Sequence, residues 1–334
     1  MKKNVAYLFP GQGTRYGGSA LDFLAAGSVG AKALFDQASE IFGQDMEAVL
    51  RDGDEQTLKR TDIAQTALTL CSLAAAAYLS EQGWEPKACA GFSLGEYPAM
   101  ACAGIVGVED CFRLVKARGT AMQQSADRIL EASGGDASEA PGMTAVVGLF
   151  PGKVESIIEQ LKAGGIKDLY AANVNSPSQI VVSGTAEALK EGEDRFLAAG
   201  ARVMRLRVAG PFHSPLIADA AEAFRPTLEA VAFADPKIPM YSNVTGKRVE
   251  SGAEMRKLAL LQITSPVRWV EEQAAIAWDA AAAAADFDAC LEVGPGKVLR
   301  GFWKDSGNGI PCYGAGTVED IGKLSQNMEQ SEEV

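Results

Sequence analysis

Histidine is almost absent from this chain: a single one, His213, occurs in 334 residues. If an imidazole takes part in any chemistry here, it is that one. Cysteine is sparse and unpatterned. The six thiols, Cys71, Cys89, Cys102, Cys111, Cys290 and Cys312, form no C-x-x-C pair and sit mostly in apolar runs, which argues against a metal or disulfide framework. No stretch reaches the ~18 apolar residues that a membrane helix needs. The opening MKKNVAYLFPGQG has the two lysines of a signal peptide, but its apolar run stops at Pro10, short of the usual hydrophobic region. Basic charge is also in deficit. Lys and Arg number 31 against 43 Asp and Glu, a net charge of −12, which excludes general affinity for phosphate backbones. An acidic partner would need a local basic patch. These absences describe a cytoplasmic protein with reduced thiols.

What is present is a large core. With 47% hydrophobic residues, the chain can form one large domain or one with an inserted lobe. NVAYLF reads as a first strand, ended by the loop PGQGTRYGG. Helical periodicity follows in AKALFDQASEIFG and IAQTALTLCSLAAAAYLSEQG, then a short buried strand in PKACAGF, then helices through GEYPAMACAG and EDCFRLVKARGTAMQQSA. The turn-rich stretch from residue 130 to 142, LEASGGDASEAPG, reads as a boundary loop. From Met143 the pattern becomes strand, helix, strand, strand, helix, strand, the order of a ferredoxin-like unit. The main domain resumes near His213, with strands near IPMYSNVTG and ACLEVGPG, an alanine-rich helix in AAIAWDAAAAAADF, and a frayed tail in SQNMEQSEEV. The expected fold is α/β: a hydrolase-like core with a parallel sheet over residues 1–141 and 209–334, and a ferredoxin-like β-α-β-β-α-β lobe inserted at 142–208.

The chemistry centres on GFSLGEYPAM, residues 91–100. Ser93-x-x-Glu96 fits a capping box, in which serine and glutamate each satisfy a backbone N–H at a helix start. It also fits the G-x-S-x-G frame of a nucleophile elbow, in which Gly91 and Gly95 remove the side chains that would block a sharp strand-to-helix turn. A serine nucleophile needs a base, and a Ser–His pair in this chain can only be Ser93 and His213. The Pro-Phe-His-Ser-Pro turn would hold that ring in a fixed loop, although a lone histidine can equally be a structural imidazole. Arg118 lies with Cys111, Leu114, Val115 and Met122 on one largely apolar helical stripe. A guanidinium there faces inward, toward either an internal carboxylate or a ligand.

LFPGQG, GFSLGEY, VKARGTAMQ, NVNSPSQIVVSG, PFHSPL, LLQITSPVRW and EVGPGKVL, in this order, resemble the malonyl-CoA:acyl carrier protein transacylases of fatty acid synthesis and the acyltransferase domains of polyketide synthases. The resemblance covers almost the whole chain. It implies that Ser93 is acylated and that His213 is its base, a Ser–His dyad with Gln262 beside the imidazole and a backbone carbonyl of that segment orienting it. It implies an oxyanion hole from Gln12 and the Leu94 N–H, a malonyl carboxylate held bidentately by Arg118, and a substrate pocket that includes Met122 and Phe212. A phenylalanine at the position of Phe212 accompanies malonyl use in related acyltransferases, because its ring fills the space that a 2-methyl branch requires. The reaction implied is ping-pong. Malonyl passes from malonyl-CoA to Ser93 and then to the 4'-phosphopantetheine thiol of an acyl carrier protein, with no metal or redox cofactor.

The sequence departs from the family's usual pattern at Phe92, where most members have histidine, at Thr14-Arg15 and at Thr66. None of these removes a catalytic group. The rivals are a hydrolase on the same elbow, including a patatin-like Ser–Asp lipase or a thioesterase, a trans-acting polyketide acyltransferase using another acyl-CoA, and a docking protein that has lost its chemistry. Lys297, Arg300 and Lys304, in GPGKVLRGFWK, form either a basic edge for an acidic carrier or an ordinary solvated helix face.

Overall fold

The computed structural model describes residues 4–13, 16, 18–136, 139–282 and 286–332. Among them the strands are β1 (Val5–Phe9), β2 (Pro86–Gly91), β3 (Gly142–Val147), β4 (Leu169–Ser176), β5 (Gln179–Gly184), β6 (Arg202–Arg205), β7 (Tyr241–Ser242), β8 (Lys247–Arg248), β9 (Ala289–Glu292) and β10 (Cys312–Gly314). β1 is VAYLF, apolar at every position and buried throughout. Such a run has no solvent face to offer and belongs in the middle of a sheet covered on both sides. It sits there, between β9 and β2, in a parallel sheet of order β10-β9-β1-β2.

The helix Thr61–Glu81 is long and apolar enough to cross a membrane by length and composition, which the sequence reading did not anticipate. It is instead an interior helix, with Leu68, Leu70, Leu73 and Leu79 all in the main core. Residues that would face lipid face protein here.

The second sheet is antiparallel, of order β4-β5-β3-β6, and is built wholly from residues between 142 and 205. Strand periodicity divides its two faces. Val146 and Val182 pack under the helices Pro151–Ala163 and Ala186–Ala198 with Val154, Ile158, Leu189 and Phe196. Met143, Ala145 and Val181 point the other way and join the main core. Two backbone bonds tie this sheet to the segment after Gln262: Val174 N–H donates to the Val267 carbonyl at 2.9 Å, and Val267 N–H donates to the Ala172 carbonyl at 2.8 Å.

Several expected boundaries move. The helix Val108–Ala132 runs into the stretch read as a loop from residue 130, and residues 137 and 138 lie outside the described residues. β6 spans only Arg202–Arg205, and the strand expected near IPMYSNVTG is reduced to the two residues of β7, paired with β8. β10 was not anticipated. The tail read as frayed forms the helix Leu324–Glu332 as far as it is described, because Leu324 and Met328 find places in the core. The alanine-rich helix covers Trp269–Ala281, and residues 283–285 of that run are outside the description, as are Thr14 and Arg15.

Candidate active site

β2 ends at Gly91, and the chain turns sharply at Ser93, whose φ is +51°. That left-handed conformation is uncommon for a residue with a side chain and marks a position where strain serves a site. The turn closes because its flanking residues have no side chains. A Cβ on Gly91 would lie 1.9 Å from the Gly95 carbonyl oxygen, and one on Gly95 would lie 2.0 Å from the Phe9 carbonyl oxygen. Both contacts are impossible, so the G-x-S-x-G spacing is a steric requirement of this elbow. The capping box does not form: Ser93 makes no side-chain cap, and Glu96 Oε1 accepts from the Asn243 N–H at 2.6 Å. The hydroxyl is left free for another partner.

That partner is His213. Ser93 Oγ lies 2.8 Å from His213 Nε2. On the far side of the ring, Nδ1 lies 2.9 Å from the Gln262 carbonyl oxygen and 3.2 Å from that of Ser265. Two carbonyls can only accept, so Nδ1 carries the hydrogen and Nε2 presents its lone pair to the hydroxyl. The loop holding the imidazole also has left-handed backbone, with φ of +56° at His213. Hydroxyls secure it on either side: Ser183 Oγ donates to the Phe212 carbonyl at 2.5 Å, and Ser214 Oγ to that of Pro211 at 2.6 Å. Burial pushes the His213 pKa down from 6.5 to about 4, the nearby Arg118 charge adds to this, and the two carbonyls oppose it. The ring is therefore neutral across the physiological range.

This sets a pH expectation. A general base works in its neutral form, so acylation of Ser93 by acetyl-CoA, which brings no carboxylate of its own, should hold its rate down to about pH 5 and fall only below that. Acylation rates by intact mass between about pH 4.5 and 8 check it. A fall centred on the ordinary histidine value would contradict the geometry.

Arg118 is fully buried on the helix Val108–Ala132. Its Nη2 donates to Gln262 Oε1 at 2.9 Å and lies 3.4 Å from Ser93 Oγ, and its guanidinium carbon stands 5.5 Å from the centre of the Tyr97 ring. Among the described residues no carboxylate forms an ion pair with it, and its Nε has no hydrogen-bond partner. An internal Glu or Asp salt bridge, the other reading of this arginine, is not what the fold builds. Burial pulls its pKa below the ordinary value.

Ser93, Leu94, Gln12, Arg118, Met122, Phe212 and His213 all line one cavity of about 220 Å³, roofed by Met143, Ala145 and Val181 of the second sheet. Gln262 stands behind the wall, its amide donating to the Ser93 carbonyl oxygen at 2.8 Å and to Glu96 Oε2. Phe92 packs edge-on against Trp269, with ring centroids 5.6 Å apart, and against Phe302. Its ring fills space at the cavity wall. Thr66 turns back to its own helix, donating to the Ile63 carbonyl at 2.8 Å.

The sequence reading missed the polar cluster beneath the elbow. Asn243 Oδ1 accepts from the Ser93 N–H at 2.6 Å, while its Nδ2 donates to the Gly91 carbonyl at 2.7 Å and to Glu272 Oε2 at 2.7 Å. Ser93's own N–H is thus engaged by the Asn243 side chain. Glu96 and Glu272 are both fully buried. Burial raises Glu96 to about 7, opposed by the Asn243 N–H, by Gln262 and by Arg118. Burial, then the charge of Glu96, raises Glu272 well above the usual carboxylate range. The available signal was a glutamate inside the apolar run after the elbow and an asparagine in YSNVTG.

A strained elbow serine, an imidazole bonded to it and a cavity lined by a buried guanidinium with no ion-pair partner among the described residues define an α/β enzyme of the acyl-transfer class. The chain belongs to the acyl transferase domain family, which matches residues 6–308. It is 31% identical over 327 residues to the malonyl CoA-acyl carrier protein transacylase of Bacillus subtilis strain 168, covering 98% of each chain. It is 33% identical over 301 residues to the protein of the same name from Escherichia coli K12, covering 90% of this chain and 91% of that one. Among solved structures, the malonyl CoA-acyl carrier protein transacylase of Clostridium perfringens superposes with a TM-score of 0.87 at 29% identity over 98% of both chains. A malonyl-transacylase in complex with its type II polyketide acyl carrier protein gives 0.85 at 30% identity, over 97% of this chain and 99% of that one.

Proposed function

We propose that this protein transfers a malonyl group from malonyl-CoA to the phosphopantetheine thiol of an acyl carrier protein through an acyl-Ser93 intermediate, in the cytoplasm. The observation that carries the reading is the buried Arg118 guanidinium, 3.4 Å from the Ser93 hydroxyl and without an ion-pair partner among the described residues. Ser93 Oγ attacks the thioester carbonyl while its proton passes to His213 Nε2. The tetrahedral oxyanion is received by the Leu94 N–H and by Gln12, both on the cavity wall. Collapse expels the coenzyme A thiolate, which takes the proton from His213. The carrier's thiol then gives its proton to His213, attacks the acyl-serine, and leaves with the malonyl group as Ser93 recovers the proton. The chain's own residues complete both half-reactions. Residues 142–208 form the lobe that roofs the acyl site. Incubation with malonyl-CoA, with and without holo carrier protein, tests the assignment. Stoichiometric acyl-enzyme without carrier and malonyl-carrier with it are expected; steady release of free malonate would make the protein a thioesterase.

Carrier docking draws on the helix Val298–Ser306, at the rim of the same cavity. Arg300 is partly committed, its Nε lying 3.3 Å from the buried Glu292 carboxylate. Lys297 and Lys304 are exposed, and among the described residues no carboxylate pairs with either. In a protein of net charge −12, such local positive charge steers an acidic partner. Lys297→Glu combined with Lys304→Glu should raise the KM for carrier about fivefold or more at low salt while sparing acylation by malonyl-CoA. Steady-state kinetics with varied carrier measure it, and an unchanged KM removes this face from the docking surface.

A further inference from the structure

Glu96 is a fully buried carboxylate that neither half-reaction uses. Its two oxygens have separate tasks. Oε1 accepts from the Asn243 N–H at 2.6 Å, which pins the side chain to the base of the elbow. Oε2 faces the other way and accepts from Gln262 Nε2. That same Nε2 donates to the Ser93 carbonyl oxygen at 2.8 Å, so both groups on this side of the amide are acceptors. Gln262 Oε1 is thereby directed at Arg118 Nη2, 2.9 Å away. Turning the amide over would forfeit both bonds and set an NH2 against a guanidinium.

The arrangement answers a physical difficulty. A buried cation with no countercharge is costly, yet a carboxylate paired directly with Arg118 would occupy the edge that an incoming acid requires. An amide placed between the two keeps the Glu96 carboxyl near without filling that edge, and it leaves Arg118 Nε without a hydrogen-bond partner among the described residues. The elbow itself is braced independently of Glu96 Oε2. Asn243 holds the Ser93 N–H and the Gly91 carbonyl, and Glu272 holds Asn243.

We propose that Glu96 is a positioning residue for substrate choice: acting through Gln262, it holds the Arg118 guanidinium at the angle that receives an acyl carboxylate, and so sets the preference for acidic over neutral acyl groups. This rests on the reading of Arg118 as the carboxylate's partner. Replacing Glu96 by glutamine keeps its shape and reverses one end. The new amide must offer its oxygen to the Asn243 N–H, so its NH2 confronts that of Gln262, which then turns its own NH2 toward Arg118.

The readout is the ratio of kcat/KM for malonyl-CoA to that for acetyl-CoA, which a general loss of folding or of Ser93 reactivity would leave in place. Glu96→Gln should lower this ratio by about tenfold or more, and by less than about twofold when Arg118 is already alanine. Gln262→Met removes the same relay while retaining the backbone carbonyl that holds His213, and it should lower the ratio similarly even if Glu96→Gln folds poorly. A ratio within about twofold of the parent in these variants overturns the proposal, as does an equal fall in the Arg118→Ala background. If Arg118→Ala alone leaves the ratio intact, the carboxylate assignment fails and takes the relay with it; if Arg118→Ala collapses the ratio while Glu96→Gln does not, only the relay fails.

Discussion

Arg118→Ala is expected to lower kcat/KM for malonyl-CoA by about a hundredfold or more and to raise acetyl transfer relative to malonyl transfer. The reason lies in what the cavity would then contain. A malonyl carboxylate brought into a site lined by Met122, Phe212, Met143 and Val181 leaves water behind and needs charge-assisted donors in exchange. Without the guanidinium it has lost bonds worth roughly 3 kcal/mol or more, which corresponds to at least that hundredfold. Acetyl-CoA has no such group to satisfy and gains room. Phe212 acts on the other end of selectivity. Its buried ring lies next to His213 in the chain and lines the cavity, so methylmalonyl-CoA should be a poorer substrate than malonyl-CoA. Specificity constants for malonyl-CoA, methylmalonyl-CoA and acetyl-CoA, in parent and variant, decide the matter. A parent that prefers acetyl-CoA, or a variant that keeps its malonyl preference, contradicts the clamp.

The dyad carries the second large effect. Ser93→Ala should abolish covalent labelling by malonyl-CoA, since the acyl group has no other oxygen at the elbow to join. His213→Ala should slow labelling by on the order of a hundredfold or more, the usual cost of losing a general base. The chain's composition sharpens this test, because no second histidine exists to substitute for the first. Labelling of the His213 variant at the parent rate would remove the imidazole from the mechanism. Thermal melts of both variants separate chemistry from folding.

The parts of this site that were legible in the sequence are those whose requirements are local. Gly91 announces the elbow because a Cβ there would lie 1.9 Å from the Gly95 carbonyl oxygen, a need written within five residues, whereas the matching need at Gly95 comes from the Phe9 carbonyl of β1 and is legible only through the recurring G-x-S-x-G frame. Arg118 announces itself by standing on an apolar helical stripe, and its helix confirms the inward direction. The ferredoxin-like order of the lobe could be read because alternation and helical periodicity are short-range patterns, and the strands pair as that order requires. Asn243, 150 positions from Ser93, could not be read in the same way. Its role comes from a contact that exists only after β2 and the chain near β7 lie side by side. Glu96 was visible, but its spacing suggested no role beyond a capping box, and the acceptor site it fills is created by a distant N–H. Element lengths failed for a related reason: burial of Leu324 and Met328 makes a helix where composition alone suggests a frayed end.

The most direct test of the account is the intact mass of the protein after brief exposure to malonyl-CoA, followed by addition of holo acyl carrier protein. The account predicts a gain of one malonyl group, localised to the peptide containing Ser93, that disappears from the enzyme as the carrier gains the same mass. An enzyme whose mass never changes, or a label that reaches water and not the carrier, would contradict it.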